Sequence, residues 1–270
     1  MLGAIVGDIV GSIYEHDNIK TKDFPLFAER ATFTDDTVCT VAIADGLLSS
    51  GDFADHLRTW VRRYPHAGYG GMFLRWAFAD DRGPYGSWGN GSAMRVSPVA
   101  HAITETEAAM LIAERTAIVT HDHPEAVRGA QAVTMAIRLA LQGQGRDQIR
   151  NAVERRFGYD LNETVDSVRS WYAFDVSCRG TVPPAIICAL ASTDFEDALR
   201  NAVSIGGDTD TIACITGGIA EAMHGIPGWI VEEGLARLDD DLRDVVERFR
   251  AVHIPPPRQA TAAIPWQTER

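Results

Sequence analysis

The strongest constraint on this chain is a pair of helical stretches without a polar face, each introduced by closely spaced carboxylates. Residues 37–48, TVCTVAIADGLL, are apolar at eight of twelve positions, and IACITGGIAEAMHG at 212–225 is almost wholly apolar. A helix of that kind is buried on nearly every side, so both belong near the middle of the fold. The segments leading into them are FTDDT at 33–37 and SIGGDTDT at 204–211. Two acidic clusters thus enter the interior, and the fold has to accommodate their charge.

The remaining pattern is helical throughout. Helices are expected over 2–14, 52–63, 105–119, 124–142, 145–156, 162–171, 183–191 (opening with Pro-Pro), 194–203, 209–224 and 228–250, and no stretch alternates like a β-strand for more than a few residues. No equal-period repeat is present. Gly3, Gly7 and Gly11 fall four apart, which on a helix forms one stripe where a neighbouring backbone can approach closely. With 270 residues and 46% hydrophobic content, one compact all-α domain over 1–253 is expected, an orthogonal helical bundle. The proline-marked segment 254–270 reads as an extended C-terminal tail.

Charge and cysteine usage narrow the setting. A net charge of -12 disfavours nucleic-acid binding, which relies on clustered Lys and Arg. Cys39, Cys178, Cys188 and Cys214 form no CxxC pair and no zinc-spaced cluster with histidine. The apolar start, MLGAIVGDIVGSIYEHD, lacks a basic region and carries Asp8 in its middle, so it does not read as a signal peptide. No stretch reaches the roughly 18 uncharged apolar residues of a membrane span. A cytoplasmic, monomeric enzyme is the expectation, with no membrane partner.

Between Pro65 and Pro98 the pattern becomes irregular, with glycines at 68, 70, 71, 83, 86, 89 and 91. Glycine lets backbone N–H groups face a ligand, and phosphate oxygens suit such a loop if a helix begins near Ser92. A surface loop with a tight turn at Asn90-Gly91 is the simpler reading of the loop alone. The histidines of THDHP, His121 and His123, lack a third partner nearby and read as a surface turn.

The two acidic clusters admit two readings. Asp and Thr cap helix N-termini, where the dipole favours negative charge. One cap residue is enough for that, whereas two carboxylates at each of two buried entrances exceed it, and gathering like charges without a cation is costly. Thr34, Asp35, Asp36, Asp208, Asp210 and Thr211 offer only oxygen donors, which suit magnesium or manganese and argue against zinc. Six such side chains with water can serve two octahedral ions.

GAIVGDIVGSIYE, FTDDT, GSWGNGSAMRVSP, TH at 120–121 and SIGGDTDTIACITGGIAEA together resemble the ADP-ribosylglycohydrolase family, in order and over about residues 2–226. The resemblance implies an all-α fold with a dinuclear Mg2+ or Mn2+ centre in a cleft, and hydrolysis of the bond between C1 of the distal ribose of ADP-ribose and an acceptor. It makes Thr34, Asp35, Asp36, Asp208, Asp210 and Thr211 the metal ligands, with Asp210 as the bridge. Glu15 resembles a glutamate placed beside the scissile bond, although by position alone it is a solvated residue just past the first helix. Glu15, Asp35 and Asp210 are the residues expected to carry the chemistry.

By the same resemblance Gly86, Ser87 and Trp88 cradle the diphosphate, Asn90 and Gly91 shape the distal-ribose pocket, and His121 lies close to the ligand. Tyr85 or Trp88 is placed to stack on an aromatic or sugar face. The implied partner is an ADP-ribosylated protein or a small ADP-ribose conjugate. Arginine, serine and small-molecule acceptors all remain open, with GSIYEHD leaning towards the serine type. The other classes in view are a two-metal phosphohydrolase, a non-catalytic ADP-ribose-binding protein and a purely structural helical protein.

Overall fold

The computed structural model of the chain describes residues 1–49, 51–80 and 83–254; the expected tail, from residue 255 on, lies outside the described residues. In chain order the helices are α1 (Leu2–Gly11), α2 (Asp35–Leu48), α3 (Phe53–Arg63), α4 (Gly71–Phe78), α5 (Gly91–Met94), α6 (Ser97–Ala102), α7 (Thr106–Ala117) and α8 (Pro124–Leu141). There follow α9 (Arg146–Phe157), α10 (Val165–Trp171), α11 (Cys178–Ala191), α12 (Phe195–Ser204), α13 (Thr209–His224), α14 (Gly228–Ala236) and α15 (Asp240–His253). Among the described residues no strand forms; one isolated bridge pairs Gly89 with Ser177. The fold is an all-helical single domain around one continuous apolar core.

The centre of that core is the contact between α1 and α13. Every residue of α1 is buried, as are Thr209 to Ala220 of α13. A Cβ at Gly3, Gly7 or Gly11 would stand 2.3, 1.9 and 2.4 Å from the carbonyl oxygens of Gly217, Ala213 and Thr209 respectively. The descending order of those partners makes the helices antiparallel, with one backbone laid directly on the other. The contact is reciprocal at Gly217, where a Cβ would come within 2.1 Å of the Gly3 oxygen. The C-terminal end of α1 is thereby fixed beside the N-terminal end of α13, and that is where the carboxylates gather.

Local differences from the expected helices have local causes. α1 stops at Gly11 and continues as a 3-10 turn over Ser12–Tyr14. The irregular region contains α4, because GMFLRWAF places Phe73, Trp76 and Ala77 on one buried face at helical spacing. α11 begins at Cys178, five residues before its prolines, because the Ser177 side chain accepts from Gly180 N at 2.9 Å and caps it there. The single helix expected over 228–250 is two, since Asp239 caps a new start by accepting from Leu242 N at 3.0 Å. All four cysteines are free and buried, and among the described residues no helix is long and apolar enough to cross a membrane.

Gly7→Ala is expected to destabilise the fold by about 3 kcal/mol, because the new methyl group meets backbone that cannot move aside. Gly228→Ala, where nothing lies within 4 Å of the added Cβ, is the control and should stay within about 0.5 kcal/mol. Urea denaturation of both variants checks the difference.

Candidate active site

Three helix ends meet at one cleft of about 390 Å³. The first is the end of α1, whose Asp8 is fully buried. Its carboxylate accepts from Thr34 N at 2.9 Å, Thr34 Oγ1 at 2.6 Å and Thr37 N at 3.0 Å, and also from the Thr37 hydroxyl. Those bonds hold the first turn of α2 against α1. Thr34 is the cap of α2, its hydroxyl accepting from Asp36 N at 3.3 Å, so the capping reading of FTDDT is correct for the threonine. Asp35 and Asp36 are left free of that duty.

The second cluster enters through Gly206 and Gly207, both at positive φ (71° and 80°), a conformation that side-chain-bearing residues rarely adopt. A Cβ at Gly207 would also stand 2.4 Å from the Tyr172 ring. Asp208 occupies the cap position of α13 but makes no capping hydrogen bond. Its Oδ2 instead accepts from Asn90 Nδ2 at 2.7 Å, tying the GNG turn to the acidic cluster. Thr211 joins the two clusters, donating from Oγ1 to Asp36 Oδ2 at 3.2 Å. Asp210 Oδ1 accepts from Thr211 N at 2.9 Å.

Glu15, on the turn after α1, comes back over this cluster. Glu15, Asp208 and Asp210 each offer an oxygen, all within 4.8 Å of one another, a grouping that can hold a metal ion. Glu15 is half-buried and lines the cleft. Burial and then the charge of Asp210 push its carboxyl upward, and the same two causes, in the same order, raise Asp35, Asp36 and Asp208 well above the usual carboxylate range and Asp8 to about 7. Asp210 is thus the charge shared by all five.

Metal chemistry fits this donor set. Among the described residues no lysine or arginine pairs with Asp8, Asp35, Asp36, Asp208 or Asp210. Asp36 Oδ1 is buried with no hydrogen-bond partner, an orphaned carboxyl oxygen. Thr34, Asp35, Asp36, Asp208, Asp210 and Thr211 all line the same cleft, and every donor they bring is a hard oxygen.

The facing wall comes from the glycine-rich segment and the turn before α8. Tyr85 N donates to Thr120 O at 3.4 Å and Gly86 N to Asp122 Oδ1 at 2.7 Å, while Asn90 N donates to Val176 O at 2.8 Å. The loop is therefore fastened on both sides. Ser87, Asn90, Gly91 and His121 line the cleft, together with Tyr85, Arg95, Phe174 and Val176. Gly86 and Trp88 do not: Gly86 fixes the turn from behind, and Trp88 is 51% exposed. The surface-turn reading of THDHP is correct for His123, whose ring caps α8 by accepting from Glu125 N, and wrong for His121, which is buried.

Asp8 and Arg95 were not singled out as site residues from the sequence. The signal for Asp8 was there, a carboxylate in mid-helix among residues that are all apolar or glycine. Arg95 gave no comparable signal, because one arginine after an apolar stretch is ordinary.

Geometry and sequence can be set against known proteins. A profile of the ADP-ribosylglycohydrolase family matches residues 1–259. The chain belongs to this family. ADP-ribosylhydrolase ARH3 of Homo sapiens is 26% identical over an alignment of 306 positions, gaps included, that covers 84% of each chain. ADP-ribosylarginine hydrolase Tri1 of Pseudomonas putida (strain GB-1) is 26% identical over 263, covering 84% of this chain and 70% of Tri1. A solved structure, an ADP-ribosylglycohydrolase-related protein complex, superposes with a TM-score of 0.69 at 25% identity, covering 94% of this chain and 97% of that one.

A carboxyl raised in the folded state keeps a proton that the unfolded chain has released. For Asp8, raised from 3.8 to about 7, stability is present at low pH and is lost as pH rises through that window. Chelator-treated protein should therefore melt lower at about pH 7.5 than at about pH 5. Mg2+ or Mn2+ at 100-fold excess over its dissociation constant should restore about 2.7 kcal/mol, with the larger gain at the higher pH. A melting temperature indifferent to both cations would remove the metal reading.

Proposed function

We propose that this ADP-ribosylglycohydrolase family member is a divalent-cation-dependent hydrolase that cleaves the bond between C1 of the distal ribose of ADP-ribose and an acceptor. The observation that carries the reading is Glu15, half-buried in the cleft with its carboxyl within 4.8 Å of those of Asp208 and Asp210. Thr34, Asp35, Asp36, Asp208, Asp210 and Thr211 would hold two Mg2+ or Mn2+ ions. When bound, such ions polarise sugar oxygens and acidify water.

The chain's own groups account for the rest. Breaking a glycosidic bond builds positive charge at C1 and negative charge on the leaving acceptor. Glu15, whose carboxyl burial and then the Asp210 charge push upward, is placed to give a proton to the leaving atom, and the resulting carboxylate then takes one from the attacking water. Asp35 and Asp210, one from each cluster, line the same cleft, where they would hold the cations beside the sugar. Asn90, held by Asp208, and Gly91 suit the distal ribose. Ser87 and His121 suit the diphosphate, with Gly86 holding the turn and Tyr85, which lines the cleft, available to stack on a ring.

ADP-ribose is the half common to arginine, serine and small-molecule conjugates, and the name of Tri1 assigns an arginine acceptor to that relative. Mass-spectrometric release assays on Arg-ADP-ribosyl, Ser-ADP-ribosyl and O-acetyl-ADP-ribose substrates, with and without Mg2+ and Mn2+, identify the acceptor here. Intact ADP-ribose is the expected product. Glu15→Gln should lower its release by about 10²–10⁴-fold. Asp210→Ala should abolish release together with cation-induced stabilisation. Release of AMP or phosphate, or no release from any of the three, would falsify the reading.

A further inference from the structure

Arg95 is 1% exposed and has no carboxylate partner among the described residues. It sits with its guanidinium 5.7 Å from the centre of the Phe73 ring, and its Nη2 donates to Thr116 O and to Thr120 Oγ1, both at 2.9 Å. Thr120 is fully buried, and its hydroxyl oxygen lies 2.7 Å from His121 Nδ1. Arginine only donates, so the Thr120 oxygen spends a lone pair on Arg95. The single hydroxyl proton then has one acceptor within reach among the described residues, His121 Nδ1. The opposite assignment, with Nδ1–H donating, leaves a buried hydroxyl proton unpaired, which is unfavourable.

We propose that Arg95 and Thr120 form a relay that fixes His121 in the Nε2–H tautomer, making it a neutral hydrogen-bond donor to a phosphate oxygen of the ligand. Both are positioning residues that act through His121. The ring edge carrying Nε2 faces the glycine loop, where a Cβ at Gly91 would stand 3.0 Å and one at Gly89 3.7 Å from that nitrogen. Both glycines and His121 line the cleft, and Nε2 has no protein acceptor among the described residues. Burial and then the neighbouring Arg95 charge hold the imidazole well below its usual range, so the ring is uncharged at neutral pH. It does not serve as a base at the nitrogen it offers. It donates, on the side of the cleft formed by the glycine loop.

The identity of the ligand rests on the proposed ADP-ribose reading, whereas the tautomer does not. Long-range 1H–15N spectra of protein labelled at histidine report which His121 nitrogen carries the proton. Wild type should show Nε2–H and an unprotonated Nδ1 at neutral pH. Thr120→Val keeps the side-chain shape but removes the relay. It should mix the tautomers and weaken ADP-ribose binding about tenfold by calorimetry, and Thr120→Ser should restore both to within about twofold. Nδ1–H in wild type, or a tautomer and affinity unchanged in Thr120→Val, overturns the relay. If wild type fails to bind ADP-ribose, the phosphate-donor role falls along with the ADP-ribose reading, while the spectra still decide the tautomer.

Discussion

Everything at the site depends on one backbone contact. α1 and α13 lie closer than any side chain would permit, with Gly3, Gly7 and Gly11 set against three successive carbonyls one turn apart. That contact fixes the register of α1 on α13, and with it the place where Asp8 and Glu15 meet Asp208 and Asp210. Asp8 extends the order to α2 by holding Thr34 and Thr37. Helix N-termini carry partial positive charge, so bringing α2 and α13 in by that end lowers the cost of the carboxylates they carry. A methyl group at Gly7 would therefore disturb a site it never touches.

The cluster is a stored liability. Two like charges 4.8 Å apart at an effective dielectric constant of roughly 20 repel by about 3 kcal/mol, and here several such pairs share one cleft. Hydrogen bonds satisfy part of this: Asp8 is fully engaged, Asp208 has Asn90, and Asp36 has Thr211. Asp36 Oδ1 has nothing. A fold selected for stability alone would place apolar groups at these helix ends, because unpaired buried charge is among the most expensive features a core can hold. The cost is reasonable only where a cation or a reaction uses it.

The parts legible in the sequence were those where chemistry and position coincide locally. FTDDT and GGDTD each combine two carboxylates with a helix start, and the all-α fold followed from long apolar stretches without strand alternation. The glycine stripe was read as helix packing, which it is, though nothing local said that its partner was α13. What depended on distant contacts was harder to see. His121 looks like a residue of a surface turn until Gly89 and Gly91 are known to close over it. α4 hid among glycines because its three buried side chains fill only one short face, and the break before α15 rests on a single aspartate cap. Asp8 was visible as a misplaced charge, but its role required knowing which helix it faces.

Two parts of the cleft differ in kind, and that difference orders the events the proposed function requires. One part of the lining is carboxylate; another offers Asn90, Ser87, His121 and the buried cation Arg95, and the two meet where Asn90 donates to Asp208. A diphosphate approaching this cleft meets repulsion from the first and donors on the second. Cations held by those carboxylates would offset their charge, so cation and ligand should each raise the other's affinity, as thermodynamic linkage requires. Arg95 is 1% exposed, and its Nη2 is committed to Thr116 O and Thr120 Oγ1. In the proposed relay its hydrogen bond bears on the ligand through Thr120 and one neutral imidazole.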